Sequence, residues 1–208
     1  MSIHFSIKDA RFVLSAPSVS HLPKAGAVEV AFWGRSNVGK SSLLNFISAR
    51  RQLAHVSRTP GRTRALNVFD AIILKNEKGD KSQKPFRFID LPGFGYAKMS
   101  HVEKEQISDV LEDYIVSDRP IRVLFHLLDC RRDITDEDFH VSQSLRRAAG
   151  EYIVVLTKLD QIPVSKRVPL QKSFVLKLGI RHEQCVLTST TEQIGREELL
   201  SVLWDRIL

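Results

Sequence analysis

Only two cysteines occur in the 208 residues, Cys130 and Cys185, and each lies in an apolar run, LLDC and QCVL. A structural zinc site needs four closely spaced ligands and a disulfide framework needs more thiols, so neither organises this chain. Burial as free thiols in a reducing compartment is what remains for the pair. No stretch approaches ~20 consecutive apolar residues, which excludes a membrane-spanning helix. Residues 1–9, MSIHFSIKD, break their apolar pattern too early for a secretory leader, so a cytoplasmic protein is expected. Internal repeats and low-complexity tracts are absent as well.

Apolar residues make up 43% and charged residues 26%, enough to build a core and too apolar for wholesale disorder. At this length one domain is the prior. Lysine and arginine number 31 against 24 acids, a net charge of +7. That sum is compatible with a polyanionic partner, but where the charge sits matters more.

Strand-length apolar runs alternate with helix-period stretches. Residues 28–33 (VEVAFW) read as a strand ending at Gly34, with a helix opening at Ser41. Residues 66–74 and 86–89 read as two more strands. The polar segment 75–84, with Gly79 and Asp80, reads as a hairpin turn that makes them antiparallel neighbours. Beyond it the order is regular: a helix over 102–116 with Ile107, Val110, Leu111 and Tyr114 at helical spacing, then a strand over 121–128. A helix over 135–149 follows, with Thr135 and Asp138 at capping distance, then a strand over 152–156. A helix over 165–178 stopped by Gly179, a short strand over 184–187 and a helix over 197–207 close the chain. This order predicts a three-layer α/β fold, with a mostly parallel sheet of about six strands, one antiparallel strand, and helices on both faces. Ligand chemistry then belongs at the carboxyl ends of the strands. Residues 1–27 form an N-terminal arm or an edge strand, and 28–208 form the ligand-binding domain.

Gly34-Arg35-Ser36-Asn37-Val38-Gly39-Lys40-Ser41 fits G-x-x-x-x-G-K-[ST] between a strand and a helix. The glycines permit backbone angles that side chains forbid, so successive N–H groups turn inward as an anion cradle at a helix N-terminus. Lys40 brings a point charge to the β- and γ-phosphates of a nucleoside triphosphate, and Ser41 offers its hydroxyl to Mg²⁺. A glycine-rich turn with an incidental Lys-Ser does not account for the flanking strand and helix.

Asp90-Leu91-Pro92-Gly93 ends the strand FRFI. A carboxylate there can hold Mg²⁺ through water, because Mg²⁺ dehydrates reluctantly. Gly93 lets its N–H approach the γ-phosphate. The following Phe94-Gly95-Tyr96-Ala97-Lys98 reads as a mobile segment. Residues 50–64, RRQLAHVSRTPGRTR, have no hydrophobic periodicity, and so long an irregular connection is usually functional or disordered. Either Thr59 or Thr63 within it could reach Mg²⁺ when triphosphate is bound, with the ordering lost on hydrolysis.

Thr157-Lys158-Leu159-Asp160 follows the strand YIVVL. Guanine presents N1–H and an exocyclic amine side by side, one carboxylate can accept from both, and adenine has neither donor there. Asp160 therefore selects guanine, while the Lys158 stem covers the base face. Thr188-Ser189-Thr190, after the strand QCVL, would bring backbone amides to the guanine oxygen.

Taken together, GRSNVGKSSLLN at 34–45, TPGRT at 59–63, DLPGFGYA at 90–97 and TKLD at 157–160 resemble the translation-factor-like P-loop GTPases. Among these the chain resembles the EngB (YihA/YsxC) family of bacterial GTP-binding proteins, from about residue 28 to the end. The resemblance implies a P-loop GTPase fold and GTP or GDP as ligand. It implies Mg²⁺ held by Ser41, Thr63 and Asp90, with Thr63 chosen over Thr59, and hydrolysis served by Lys40, Thr63 and Gly93. The nucleotide contacts would be Gly34, Arg35, Ser36, Asn37, Val38, Gly39, Lys40, Ser41 and Ser42 in the phosphate loop. Gly61, Arg62 and Thr63, then Asp90, Leu91, Pro92 and Gly93, would continue them. Thr157, Lys158, Asp160, Thr188, Ser189 and Thr190 would complete them. Asn37 matches the asparagine that related GTPases use to hold K⁺, so K⁺ is a further implication. Members of the family act in large ribosomal subunit assembly and are tied to cell division and septation, which implies a ribosomal particle or rRNA as partner. A monomer is expected.

One position departs from the Ras-like pattern: Phe94 stands where those enzymes carry a water-orienting Gln, so slow intrinsic hydrolysis, completed by a partner or an ion, is expected. Phe94 also keeps open a binding module whose own turnover is negligible. A P-loop ATPase or nucleotide kinase is a third reading, against which Asp160 argues. The charge is clustered. Residues 50–64 hold Arg50, Arg51, Arg58, Arg62 and Arg64, and 165–182 hold Lys166, Arg167, Lys172, Lys177 and Arg181, with no acid in either stretch. A basic surface partly built on the switch would bind RNA differently in the GTP and GDP states.

Overall fold

The structure is a computed structural model that describes residues 3–50, 52–54, 65–77, 80–94, 100–148 and 150–207. Among these residues the strands are β1 (His4–Ala16), β2 (Glu29–Gly34), β3 (Leu66–Glu77), β4 (Asp80–Asp90), β5 (Ile121–Asp129), β6 (Glu151–Thr157) and β7 (Cys185–Leu187). They form one sheet in the order β1-β3-β4-β2-β5-β6-β7. β3 runs against both of its neighbours, and the other pairings are parallel. The one antiparallel strand is therefore where the order of runs put it, but the sheet has seven strands rather than about six.

The seventh is β1, which adds an edge strand. Its alternation is poor because the register with β3 shifts between Lys8 and Arg11, where Asp9 adopts a φ of 54°. Such a bulge inserts an unpaired residue and turns the side chains that follow. The antiparallel hairpin over 75–84 is borne out, but strand pairing runs further into that segment than expected, as far as Glu77 opposite Asp80. Its polar composition is affordable because this end of the ribbon reaches past the helix-covered centre of the sheet, so no apolar alternation is required.

The helices are α1 (Lys40–Ile47), α2 (His101–Val116), α3 (Asp136–Ala148), α4 (Val164–Leu178) and α5 (Arg196–Arg206). Period two along β2 divides the core. Val30 and Phe32 pack with Leu43, Leu44 and Ile47 of α1 and Leu199, Leu200 and Leu203 of α5. Ala31 and Trp33 pack on the other side with Leu111 and Tyr114 of α2, Leu145 of α3, and Phe174 and Leu178 of α4. Strands covered on both faces read as continuous apolar runs, which is why β5 and β6 were legible. The Thr135–Asp138 cap forms: the Thr135 N–H reaches Asp138 Oδ2 at 3.0 Å, and the Asp138 N–H reaches Thr135 Oγ1 at 3.2 Å. Gly179 ends α4 in the left-handed region at φ 60°. Cys130 and Cys185 are buried free thiols, and burial pushes them up to about 11 and about 12.

A carboxylate that sequence reading passed over locks the start of β2. Glu29 is fully buried and accepts from the Tyr114 hydroxyl at 2.9 Å and from Arg119 Nε at 3.0 Å. Arg119 also donates to the Pro23 carbonyl at 3.0 Å, tying the segment before β2 to the end of α2.

Candidate functional site

β2, β4 and β6 run the same way, so the loops that follow them open on one edge of the sheet. The first is the phosphate loop. Gly34 is buried, and a Cβ there would lie 2.7 Å from the Leu127 carbonyl oxygen, so only glycine lets β2 end this close to β5. The chain then turns through Asn37 at φ 62° and Gly39 at φ 108° into α1. The first amides of α1 have no intrahelical acceptor, and the Leu43 N–H to the Gly39 carbonyl is the first such bond. Unused N–H groups at a helix start form an anion site.

Two residues of the third loop brace this one from beneath. The Thr157 hydroxyl donates to the Val38 carbonyl at 2.7 Å. Lys158 Nζ donates to the Asn37 carbonyl at 2.8 Å and to Asp129 Oδ2 at 2.8 Å. Both loop carbonyls are thereby drawn toward β6 and β5. Asp129 was missed in the sequence, though an acid closing the apolar run LFHLL at a strand's carboxyl end was the available signal. Burial works to raise its pKa, but hydrogen bonds from Arg131 and Lys158 outweigh that and hold its carboxyl well below the usual range.

Asp90, at the end of β4, is buried and ion-paired with the ammonium of Lys40. Its second oxygen accepts from Asn67 Nδ2 at 3.1 Å. Asn67 carried no sequence signal. It faces Asp90 because it is the directly opposed residue in the β3–β4 register. Leu91 and Pro92 are buried, and Gly93 lies against the phosphate loop, where a Cβ would meet the Gly34 oxygen and Ser36 N at 3.4 Å. Ser41 and Ser42 are partly buried in the first turn of α1. The arrangement assembles an amide cradle, one ammonium, one carboxylate and a serine hydroxyl, a donor set that suits a phosphate chain with a hard divalent cation.

In the loop after β6, Asp160 Oδ1 accepts from the Ser189 hydroxyl at 2.8 Å and Oδ2 from Gln161 Nε2 at 2.6 Å. The Gln161 bond, then the Ser189 bond, hold its carboxyl below the usual range and keep it an acceptor. The amides of 188–190 are less free than expected. Thr188 N–H is taken by the Leu156 carbonyl at 2.7 Å and Ser189 N–H by the Ile194 carbonyl at 3.2 Å. Thr190 is the one of the three whose N–H is unclaimed among the described residues. A cavity of about 420 Å³ joins this region to the phosphate loop, bounded by Gly39 and Ser42 on one side and by Lys158, Asp160 and Thr190 on the other.

Thr59, Gly61, Arg62 and Thr63 lie outside the described residues, as do Arg51, Arg58 and Arg64 of the first basic cluster and residues 95–98 after Phe94. The second cluster is less cationic than its count. Arg167 pairs with Glu192 at 2.8 Å, Lys177 with Asp133 at 3.4 Å, and Arg181 with Glu183 at 2.5 Å.

A family described as 50S ribosome-binding GTPase matches residues 29–158. The probable GTP-binding protein EngB of Clostridium kluyveri is 39% identical over 200 residues, covering 95% of this chain and 95% of that protein. The crystal structure of a probable GTP-binding protein engB superposes with a TM-score of 0.59 at 22% identity, over 86% of this chain and 98% of that one. Era in complex with MgGDPNP and nucleotides 1506–1542 of 16S ribosomal RNA gives 0.68 at 23% identity, over 88% of this chain and 58% of that one. The last two likenesses show the fold.

Proposed function

Because the chain belongs to the EngB family of GTP-binding proteins, and is by that membership a P-loop GTPase, we propose that it is a Mg²⁺-dependent switch acting in large ribosomal subunit assembly. What carries the reading is the cavity that runs from Gly39 and Ser42 at the start of α1 to Asp160. At one end the α1 amides, with Lys40 beside them, take the phosphates; at the other Asp160 takes the guanine N1–H and amine, and the Thr190 N–H takes the guanine oxygen. Ser41 and Thr63, with Asp90 through water, would hold Mg²⁺, which would neutralise charge on the phosphates. Gly93 offers its N–H to the γ-phosphate, and Asn37 offers its side chain to K⁺. A large-subunit particle or its rRNA as partner is supported by the family description, which names binding to the 50S ribosome. The protein works as a cytoplasmic monomer, and a stall in subunit assembly would reach division and septation downstream.

The deciding measurement is thermal stabilisation by GDP against ADP, with and without Mg²⁺. A ligand that binds only the folded state must raise apparent stability. GDP should stabilise and ADP should not, whereas equal shifts would refute the base assignment.

One observation favours a second reading, in which the chain alone barely turns over and serves as a nucleotide-dependent binding module. The Phe94 ring is packed against Trp33, so it orients no water. Single-turnover hydrolysis with and without large-subunit particles separates the two, because the switch hydrolyses slowly by itself whereas the module's cycle depends wholly on the particle.

A further inference from the structure

Phe94 directly follows Gly93, and its ring lies flat on the Trp33 indole, with centroids 4.1 Å apart and planes at 6°. The Arg35 guanidinium carbon is also over that ring, 5.5 Å from its centroid. Period two puts Trp33 and Arg35 on the same side of the extended chain. The main chain agrees with the side chains. Ser36 N–H donates to the Phe94 carbonyl at 2.7 Å, and Arg35 and Phe94 form an isolated parallel bridge. Trp33 Nε1 and Arg35 Nε are buried without a hydrogen-bond partner among the described residues, so toward Phe94 these two side chains act through ring contact. Arg35 also reaches Glu137 on the first turn of α3 at 3.7 Å.

We infer that Trp33 and Arg35 are positioning residues that fix Phe94 and so pin Gly93 against the phosphate loop in every nucleotide state. Every contact named is made by the protein to itself, and none needs a nucleotide. The Gly93 N–H is accordingly preset for a γ-phosphate rather than recruited by it. This rests on the reading of Gly93 as a γ-phosphate donor. Preorganised donors avoid reorganisation when charge develops in front of them.

The chain has two tryptophans, so Trp204→Phe leaves Trp33 as the lone emitter. In that background the emission should be the same with GDP and with a non-hydrolysable GTP analogue, while Phe94→Leu should shift it with or without nucleotide. A change between the two nucleotides as large as the Phe94→Leu shift would overturn the inference. Calorimetry supplies a second arm. Phe94→Leu should keep GDP affinity within about twofold and lose about tenfold for the GTP analogue, and Phe94→Tyr should restore the ratio. Equal losses for both nucleotides would mark Phe94 as merely structural and would also overturn it. Failure to bind either nucleotide in the Trp204→Phe parent would refute the GTP reading itself. The stack would still be tested by the nucleotide-free emission of Phe94→Leu.

Discussion

Lys158 donates to Asp129 at 2.8 Å, so the residue expected to cover the base also grips the end of the neighbouring strand. Its other bond, to the Asn37 carbonyl, makes Lys158 a strut between β5, β6 and the phosphate loop. Asp129→Asn keeps the shape and removes the charge. GDP affinity should fall about tenfold, the order of one charge-assisted hydrogen bond, with the GDP-to-ADP preference unchanged. Calorimetry with both nucleotides checks this, and an unaltered GDP affinity would show that Asn37 alone holds the lysine.

Asp160 lines the far end of the same cavity, and the proposed base selection rests on it. Asp160→Asn exchanges an acceptor for a donor, which suits the N1 and C2 edge of xanthine. GDP affinity should drop by about hundredfold or more while XDP binding rises, because a mispaired buried polar group is strongly rejected. Competition binding of GDP against XDP is the measurement, and a retained guanine preference would refute the assignment.

These expectations divide by what a linear reading can carry. The phosphate loop, DLPG and TKLD were legible because each packs its chemistry into consecutive residues. Asn67 beside Asp90, Asp129 beside Lys158 and Trp33 beside Phe94 were not. Those contacts are made by strand register and sheet order, which join positions far apart in the chain. The same limit applies at 188–190, where β6 claims one of the expected amides and the Ile194 turn another. The polar end of β3 and β4 was read too short because periodicity reports burial, and that ribbon is strand without being buried on both faces.

Arg119 offers a stability test of the buried carboxylate. Glu29 is fully buried, and its charge is met by Arg119 and the Tyr114 hydroxyl. Arg119→Met leaves an uncompensated charge inside the fold and should cost about 3–5 kcal/mol. Urea denaturation should show a lower midpoint at an unchanged slope. The double variant Arg119→Met with Glu29→Gln should recover much of the loss, since the charge itself is gone. No recovery would mean that packing of the arginine stem, rather than the charge, sets the cost.

His126 sits in the middle of β5, fully buried, with Nδ1 2.7 Å from the Tyr152 hydroxyl, which itself donates to Ser142 Oγ at 2.9 Å. Burial lowers its pKa from the ordinary 6.5 to about 4, with Asp138 pulling weakly the other way. The folded protein thus keeps the ring neutral where the unfolded chain would protonate it. The unfolded state binds more protons between pH 6.5 and 4, so stability rises with pH across that window and is lost as pH falls through it. By pH 4.5 the histidine alone should have removed about 2.5 kcal/mol relative to neutral pH. His126→Asn retains a donor toward Tyr152 but cannot titrate. It should be less stable than the parent at pH 7, and the gap should close as pH falls to 4.5. Urea titrations of both proteins at matched pH values measure that gap directly, and a gap that stays constant would mean the buried ring is already as easily protonated as an exposed one.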